Sequence, residues 1–166
     1  MVNLNRLFRH FLTPDWVASR AFPPATMHSI STAIAQSETL HSGEIRFVAE
    51  AVLASRPLLH NQSARDRALE VFSELRIWDT ENNNGVLIYV LLADHDVEII
   101  ADRGIAHKVE RHAWEHICQD MERAFAKGEF EAGALLGIKQ VAQLLVQYFP
   151  ATTGNKNELE NRPVIR

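Results

Sequence analysis

Four turn-prone residues, Asn82, Asn83, Asn84 and Gly85, run directly into seven unbroken apolar ones, Val86, Leu87, Ile88, Tyr89, Val90, Leu91 and Leu92. A polar loop opening onto such a run predicts the entry to a central strand buried on both faces. A strand of that kind needs a covering layer on each side, so the flanking segments have to supply helices for both.

The periodicities around it alternate accordingly. A helix is expected after Pro23 and Pro24, with Met27, Ile30 and Ile34 on one face, ending before Gly43. Residues 44–53 alternate around Ile45, Phe47, Ala49, Ala51 and Leu53, the pattern of a half-buried strand. Ser63 with Asp66 three residues on forms a capping-box-like start. Ala68, Val71, Phe72 and Leu75 mark the buried face of the helix that follows. Asp94 and His95 turn the chain into a third strand over 97–101. Two helices, over 112–127 and 129–149, close the body, with Gly128 as the cap between them. The expected fold is α/β with three α/β/α layers. Its small mixed sheet has three or four strands, built from a βαβ crossover plus a hairpin and flanked by helices.

Three segments follow: a basic amphipathic leader helix (1–22), a body (23–150), and a polar tail (151–166) without apolar period, read as mobile. At 166 residues one core-forming body is the natural count. The net charge of -4 argues against a nucleic-acid binder. Cys118 is the one cysteine, so it forms no internal disulfide and no Cys-rich zinc site. The first 30 residues lack a secretory apolar core, and seven apolar residues cannot span a bilayer. A soluble, cytoplasmic protein is expected.

The topology carries a functional consequence. A βαβ crossover makes the first two strands parallel, and the turn at Asp94 and His95 makes the third antiparallel to the second. Ser42, Gly43 and Glu44 should therefore lie beside 82–85 and beside Asp102, Arg103 and Gly104. Carboxylate and amide oxygens from Glu44, Asp79, Asn83, Asn84 and Asp102 would suit calcium or magnesium rather than zinc. Gly43, Gly85 and Gly104 would let backbone amides approach an anion, with Arg103 as a forked donor. On residue types alone, the ordinary turn residues of strand ends are the favoured reading.

The same residues resemble the TPM-domain family, which includes thylakoid acid phosphatases linked to photosystem II repair and bacterial relatives. Ser42-Gly43-Glu44-Ile45 is similar to its Thr/Ser-Gly-x-Gln/Glu pattern, and Asn83-Asn84-Gly85-Val86-Leu87-Ile88 to its Asn-Asn-Gly-hydrophobic strand. Ile99-Ile100-Ala101-Asp102-Arg103-Gly104-Ile105 matches the Gly-x-Gly turn in part: Asp102 replaces the first glycine and Ala106 a common acidic position. Gly128, Phe130, Gly133 and Gly137 fit the closing segment. The resemblance implies divalent cations around these loops, with Asp102 able to compensate for Ala106.

Sharper motifs point elsewhere and are weaker. His112 and Glu115-His116 spell the H-x-x-E-H pattern of inverted zinc peptidases, but both histidines lie opposite the stripe of Trp114, Ile117, Cys118, Met121 and Phe125. Asp94-His95-Asp96 resembles an aspartyl-phosphate loop, yet a strand rather than a helix follows. Cys118 and Arg123 stand one residue too close for a cysteine phosphatase loop. Gly133 and Gly137 suit close helix packing against the sheet.

Leu4, Leu7, Phe8, Phe11 and Leu12 share one face of the leader, with Arg6, Arg9 and His10 nearby. It is expected to pack on the domain, with peripheral membrane contact through residues 4–17 or a protein partner as alternatives. Two function classes stand: an accessory binding module with a cation or anion at the edge, and a metal-dependent acid phosphatase. In the second, Asp102, Glu44, Asp79 or Glu81 would hold a water-activating metal and Arg103 would steady the phosphoryl group.

Overall fold

The computed structural model describes residues 4–154 and 156–166. Helices α1 (Leu4–Leu12), α2 (Trp16–Ala21) and α3 (Pro24–Ser37) lead into strand β1 (Glu44–Glu50). A short α4 (Ser55–Leu59) and α5 (Ala64–Glu74) precede β2 (Gly85–Leu91). A single 3-10 turn over Leu92–Asp94 reverses the chain into β3 (Asp96–Ala101). The one-turn α6 (Arg103–Ala106), α7 (Arg111–Phe125), α8 (Phe130–Tyr148) and β4 (Val164–Ile165) complete it.

The sheet order is β3-β2-β1-β4. β1 runs parallel to β2 and to β4, and β2 runs antiparallel to β3. The expected crossover and hairpin are both present. His95 makes the turn in the left-handed region, at φ 55°. The Ser63–Asp66 box also forms: each side chain accepts from the other residue's backbone N–H.

Alternation along the strands divides the core into two halves. Ile45, Phe47, Ala49, Val86, Ile88 and Val90 face α2, α3, α7 and α8. Phe22 is central there, edge-on to Phe47, Phe125 and Phe130. Val48, Leu87, Tyr89 and Leu91 face α4 and α5. Gly133 and Gly137 sit against Ala124, Phe125 and Met121, so the small residues admit α7 to α8 rather than a helix to the sheet. Among the described residues no helix is long and apolar enough to cross a membrane.

Three expectations need correction. Strand β1 is buried along its whole length, not half-buried. Its charged face is matched by polar partners: Tyr89 Oη donates to Glu50 at 2.6 Å and Arg67 pairs with the same carboxylate at 3.0 Å. The tail is not structureless: Val164 and Ile165 pair with Val48 and Ala49 as β4. Backbone hydrogen bonds between Ala51 and Arg166 and between Arg166 and Ala49 extend that pairing. The edge of β1 offers unpaired backbone groups that even a polar segment can satisfy. Finally, the leader packs on the domain as expected, with Ala18 and Phe22 in the core, but as two helices of which the first, α1, docks through its polar side. Leu4, Phe8, Phe11 and Leu12 are exposed, while Arg6 and His10 bond Asp94 and Leu7 alone of the apolar set packs on the core.

Candidate functional site

The start of β1, the start of β2 and the end of β3 meet at one end of the sheet. Glu44 is in register with Gly85, and Val86 with Ala101. The loops beyond them are stitched by backbone bonds: Asp102 N–H to Gly85 O at 2.9 Å and Gly104 N–H to Asn83 O at 2.8 Å. Asn83 holds φ 50°, a left-handed conformation that asparagine tolerates. Asn84 turns inward, where its Nδ2 donates to Ser42 O at 3.0 Å and its N–H donates to Thr80 Oγ1 at 3.1 Å.

Two acceptor oxygens in this knot are conspicuous. Asn84 is fully buried and its Oδ1 has no hydrogen-bond partner. Asp102 is also buried; its Oδ1 caps α6 by accepting from Arg103 N–H at 2.7 Å, while its Oδ2 has no hydrogen-bond partner. Buried acceptors are normally matched; these two stand on touching loops, while Glu38 Oε2, Gln62 Oε1, Gln140 Oε1 and Asn161 Oδ1 are unmatched elsewhere. Hard oxygens of this kind fit calcium or magnesium.

The remaining candidates are engaged by the fold. Glu44 is buried, and its two carboxylate oxygens accept from the backbone N–H groups of Glu158 (3.0 Å) and Leu159 (3.1 Å). Burial raises its pKa, and those two donors offset part of the rise. Asp79 pairs with Arg76 on the exposed surface at 2.6 Å. Asn83 is exposed, and its carbonyl already serves Gly104. Among the described residues no three His, Cys, Asp or Glu side chains are grouped to hold a metal ion. Of the candidates, Asn84 and Asp102 are the two with an acceptor oxygen that no hydrogen bond uses.

The anion reading loses its room. A Cβ on Gly85 would lie 2.1 Å from Ile77 O, one on Gly104 2.5 Å from Asn82 O and Asn83 O, and one on Gly43 2.4 Å from Leu145 Cδ2. The space each glycine leaves is filled by the protein's own atoms. Arg103 is exposed on the first turn of α6. His41 is fully buried, with Nδ1 2.9 Å from Gly43 O; burial lowers its pKa to about 4, so the ring is neutral.

Sequence reasoning missed the partners that the tail and α3 bring to this end. Glu158 accepts from Glu81 N–H at 3.0 Å. Glu38, just past α3, accepts from Ile45 N–H at 3.1 Å. Burial and the neighbouring Glu44 charge push its carboxyl up to about 8. Glu38, Glu44, Thr152, Asn157 and Asn161 line a cavity of about 460 Å³. Glu38 and the tail sit in no local motif, so only the tertiary fold could have revealed them.

The other motifs resolve as structure. His112 and His116 are exposed. The Cys118 thiol, half-buried, is pushed up to about 12 by burial and then by the charges of Glu98 and Glu122. Burial alone would raise the Asp94 carboxyl, but hydrogen bonds from Arg6 and His10 hold it below its usual range.

The sequence matches the family described as the TPM domain over residues 18–144. The chain belongs to the TPM-domain family. A solved structure of similar fold is the NMR structure of the BA42 protein from the psychrophilic bacterium Bizionia argentinensis. It is 31% identical, with a TM-score of 0.74, over 84% of this chain and 92% of that one. No curated protein matches. The matched span of the TPM domain contains β1 to β3 and all three loops of the candidate edge, but ends before the tail that covers Glu44.

Proposed function

We propose that this TPM-domain chain is an accessory binding module that holds a hard divalent cation, calcium or magnesium, where the 82–85 and 102–104 loops meet. The observation that carries the reading is the pair of buried, hydrogen-bond-free oxygens, Asn84 Oδ1 and Asp102 Oδ2. A cation there would neutralise the buried Asp102 carboxylate and tie two loops that are distant in sequence. Acid phosphatase chemistry at the same edge is less well supported. His41 is buried and neutral beside the Gly43 carbonyl, and Glu44 is saturated by the tail, so among the described residues no nucleophile–base pair stands at the edge.

The test is an amide NMR titration of the full chain with calcium and then magnesium, repeated on Asp102→Asn. Asparagine keeps the helix cap and removes the charge. Saturable shifts confined to 82–85 and 102–104, lost in the variant, are expected. No shift at millimolar metal would sink the cation reading. Hydrolysis of a phosphate ester that disappears in the folded variant would establish the enzyme instead.

A further inference from the structure

Helix α1 is mounted inside out. At about 100° per residue, Leu4, Phe8, Phe11 and Leu12 fall within an arc of about 100°, and Arg6 and His10 point about 190° from its centre. The structure places Arg6 and His10 inward. Arg6 grips Asp94 with contacts of 2.7 and 2.9 Å, His10 Nε2 lies 3.1 Å from the same carboxylate, and His10 Nδ1 accepts from Leu53 N–H at 3.1 Å. The apolar arc is left outward, with Phe8 67% and Phe11 73% exposed, and Trp16 of α2 continues it at 57%. An amphipathic helix normally turns its apolar stripe to the core. Here specific charge pairing overrides that preference and keeps the stripe available.

The charge around the stripe selects the occupant. With Arg6 turned inward onto Asp94, the stripe is flanked by Arg9 and Arg20 against Asp15, whereas the whole chain has 17 Lys and Arg against 21 Asp and Glu. Arg9 is half-exposed, with one guanidinium nitrogen 3.5 Å from Asp94 Oδ1, and Arg20 is exposed 5.8 Å from the Trp16 ring centre. Aromatic and aliphatic residues on one face, with arginines at the rim, suit the headgroup zone of a negatively charged membrane.

We infer that α1 and the start of α2 form a docking surface for an anionic lipid bilayer. The helix lies in the plane of the headgroups with Phe8 and Phe11 immersed and Arg9 and Arg20 at phosphate level. The Arg6–Asp94 clamp holds the domain against that surface.

The experiment is co-sedimentation of the full chain with phosphatidylcholine vesicles, with and without phosphatidylglycerol. Binding to the anionic vesicles that weakens with salt is expected. The double variant Phe8→Ser, Phe11→Ser should reduce the bound fraction roughly tenfold with an unchanged near-ultraviolet circular dichroism spectrum. Arg9→Gln, Arg20→Gln should remove most of the preference for phosphatidylglycerol. Failure to sediment with either vesicle overturns the inference. So does a chain that dimerises through α1, shown by a dimer that Phe8→Ser, Phe11→Ser returns to monomer while vesicle binding is absent.

Discussion

The backbone N–H of Glu158 donates to Glu44 Oε1 at 3.0 Å, while the carboxylate of Glu158 turns away to accept from Glu81 N–H. Two like charges thus sit close together because each faces backbone donors rather than the other. This clasp carries the C-terminal segment across the open end of β1 before it pairs as β4. It also withdraws Glu44 from any ligand role at the edge.

Glu44→Ala should therefore release the tail. Two buried N–H acceptors are lost, and charge-assisted hydrogen bonds contribute about 1.5–3 kcal/mol each at most. The expected destabilisation is of that order for the pair, since the freed N–H groups can reach water. Hydrogen exchange should show lost protection at 158, 159, 164 and 165, with β2 and β3 unchanged. Protection retained throughout would mean that β4 pairing alone fixes the tail.

Glu38 sets a pH dependence. Its carboxyl rises from an ordinary 4.5 to about 8, so the folded state binds a proton that the unfolded chain releases. Its stabilising contribution is complete below 4.5 and is lost as pH rises through 8. Glu38→Gln retains an acceptor for Ile45 N–H and cannot ionise. The variant should be more stable than the parent at pH 8, by on the order of 1 kcal/mol, because the half-buried carboxylate is partly screened by water. Denaturant melts at pH 5 and 8 measure it; an equal effect at both values would contradict the titration.

His41 works in the opposite sense. Burial lowers its pKa from 6.5 to about 4, the bond to Gly43 O opposing that only in part, so the unfolded chain takes up the proton first. Its contribution is complete above 6.5 and is lost as pH falls through 4. Between 4.5 and 6.5 the Glu38 and His41 slopes oppose each other, which predicts a flattened stability profile there. Removing Glu38 ionisation by Glu38→Gln should convert that plateau into stability rising with pH. A plateau that persists in the variant would show that His41 does not titrate in this window.

How much of this the sequence could reveal depends on where the information lies. The 82–85 turn and the seven apolar residues after it are local, and from them the crossover, the hairpin and the shared edge followed correctly. Asn84 and Asp102 are candidates by their oxygens, yet only the fold shows that Asn84 Oδ1 and Asp102 Oδ2 are buried and lack hydrogen bonds. Strand β1 misled because Glu44, Arg46 and Glu50 alternate with apolar residues, as on a solvent face. Their burial depends on Tyr89, Arg67 and the tail, all distant in sequence. Val164 and Ile165 are strand-favouring residues, but two of them are too few to show a period, and their pairing depends on the vacant β1 edge. The leader's apolar face was legible, but its direction was not, because the Asp94 carboxylate that Arg6 and His10 seek lies far along the chain.

Gly85 offers the most direct check of how tightly the edge is built. A methyl group there would fall 2.1 Å from Ile77 O and 2.9 Å from Ile77 Cγ2, so backbone must move. Gly85→Ala should destabilise by about 1–3 kcal/mol or more through overpacking. Gly128 is the control: it has φ 79° but nothing within 4 Å of an added Cβ. Gly128→Ala should cost only the left-handed strain, about 1–2 kcal/mol, without disturbing the edge. Denaturant melts of both variants, with the amide spectrum of 82–85 as a local reporter, separate the two mechanisms. A Gly85→Ala protein as stable as the parent, with 82–85 unshifted, would mean that the β2 entry yields more easily than its contacts indicate.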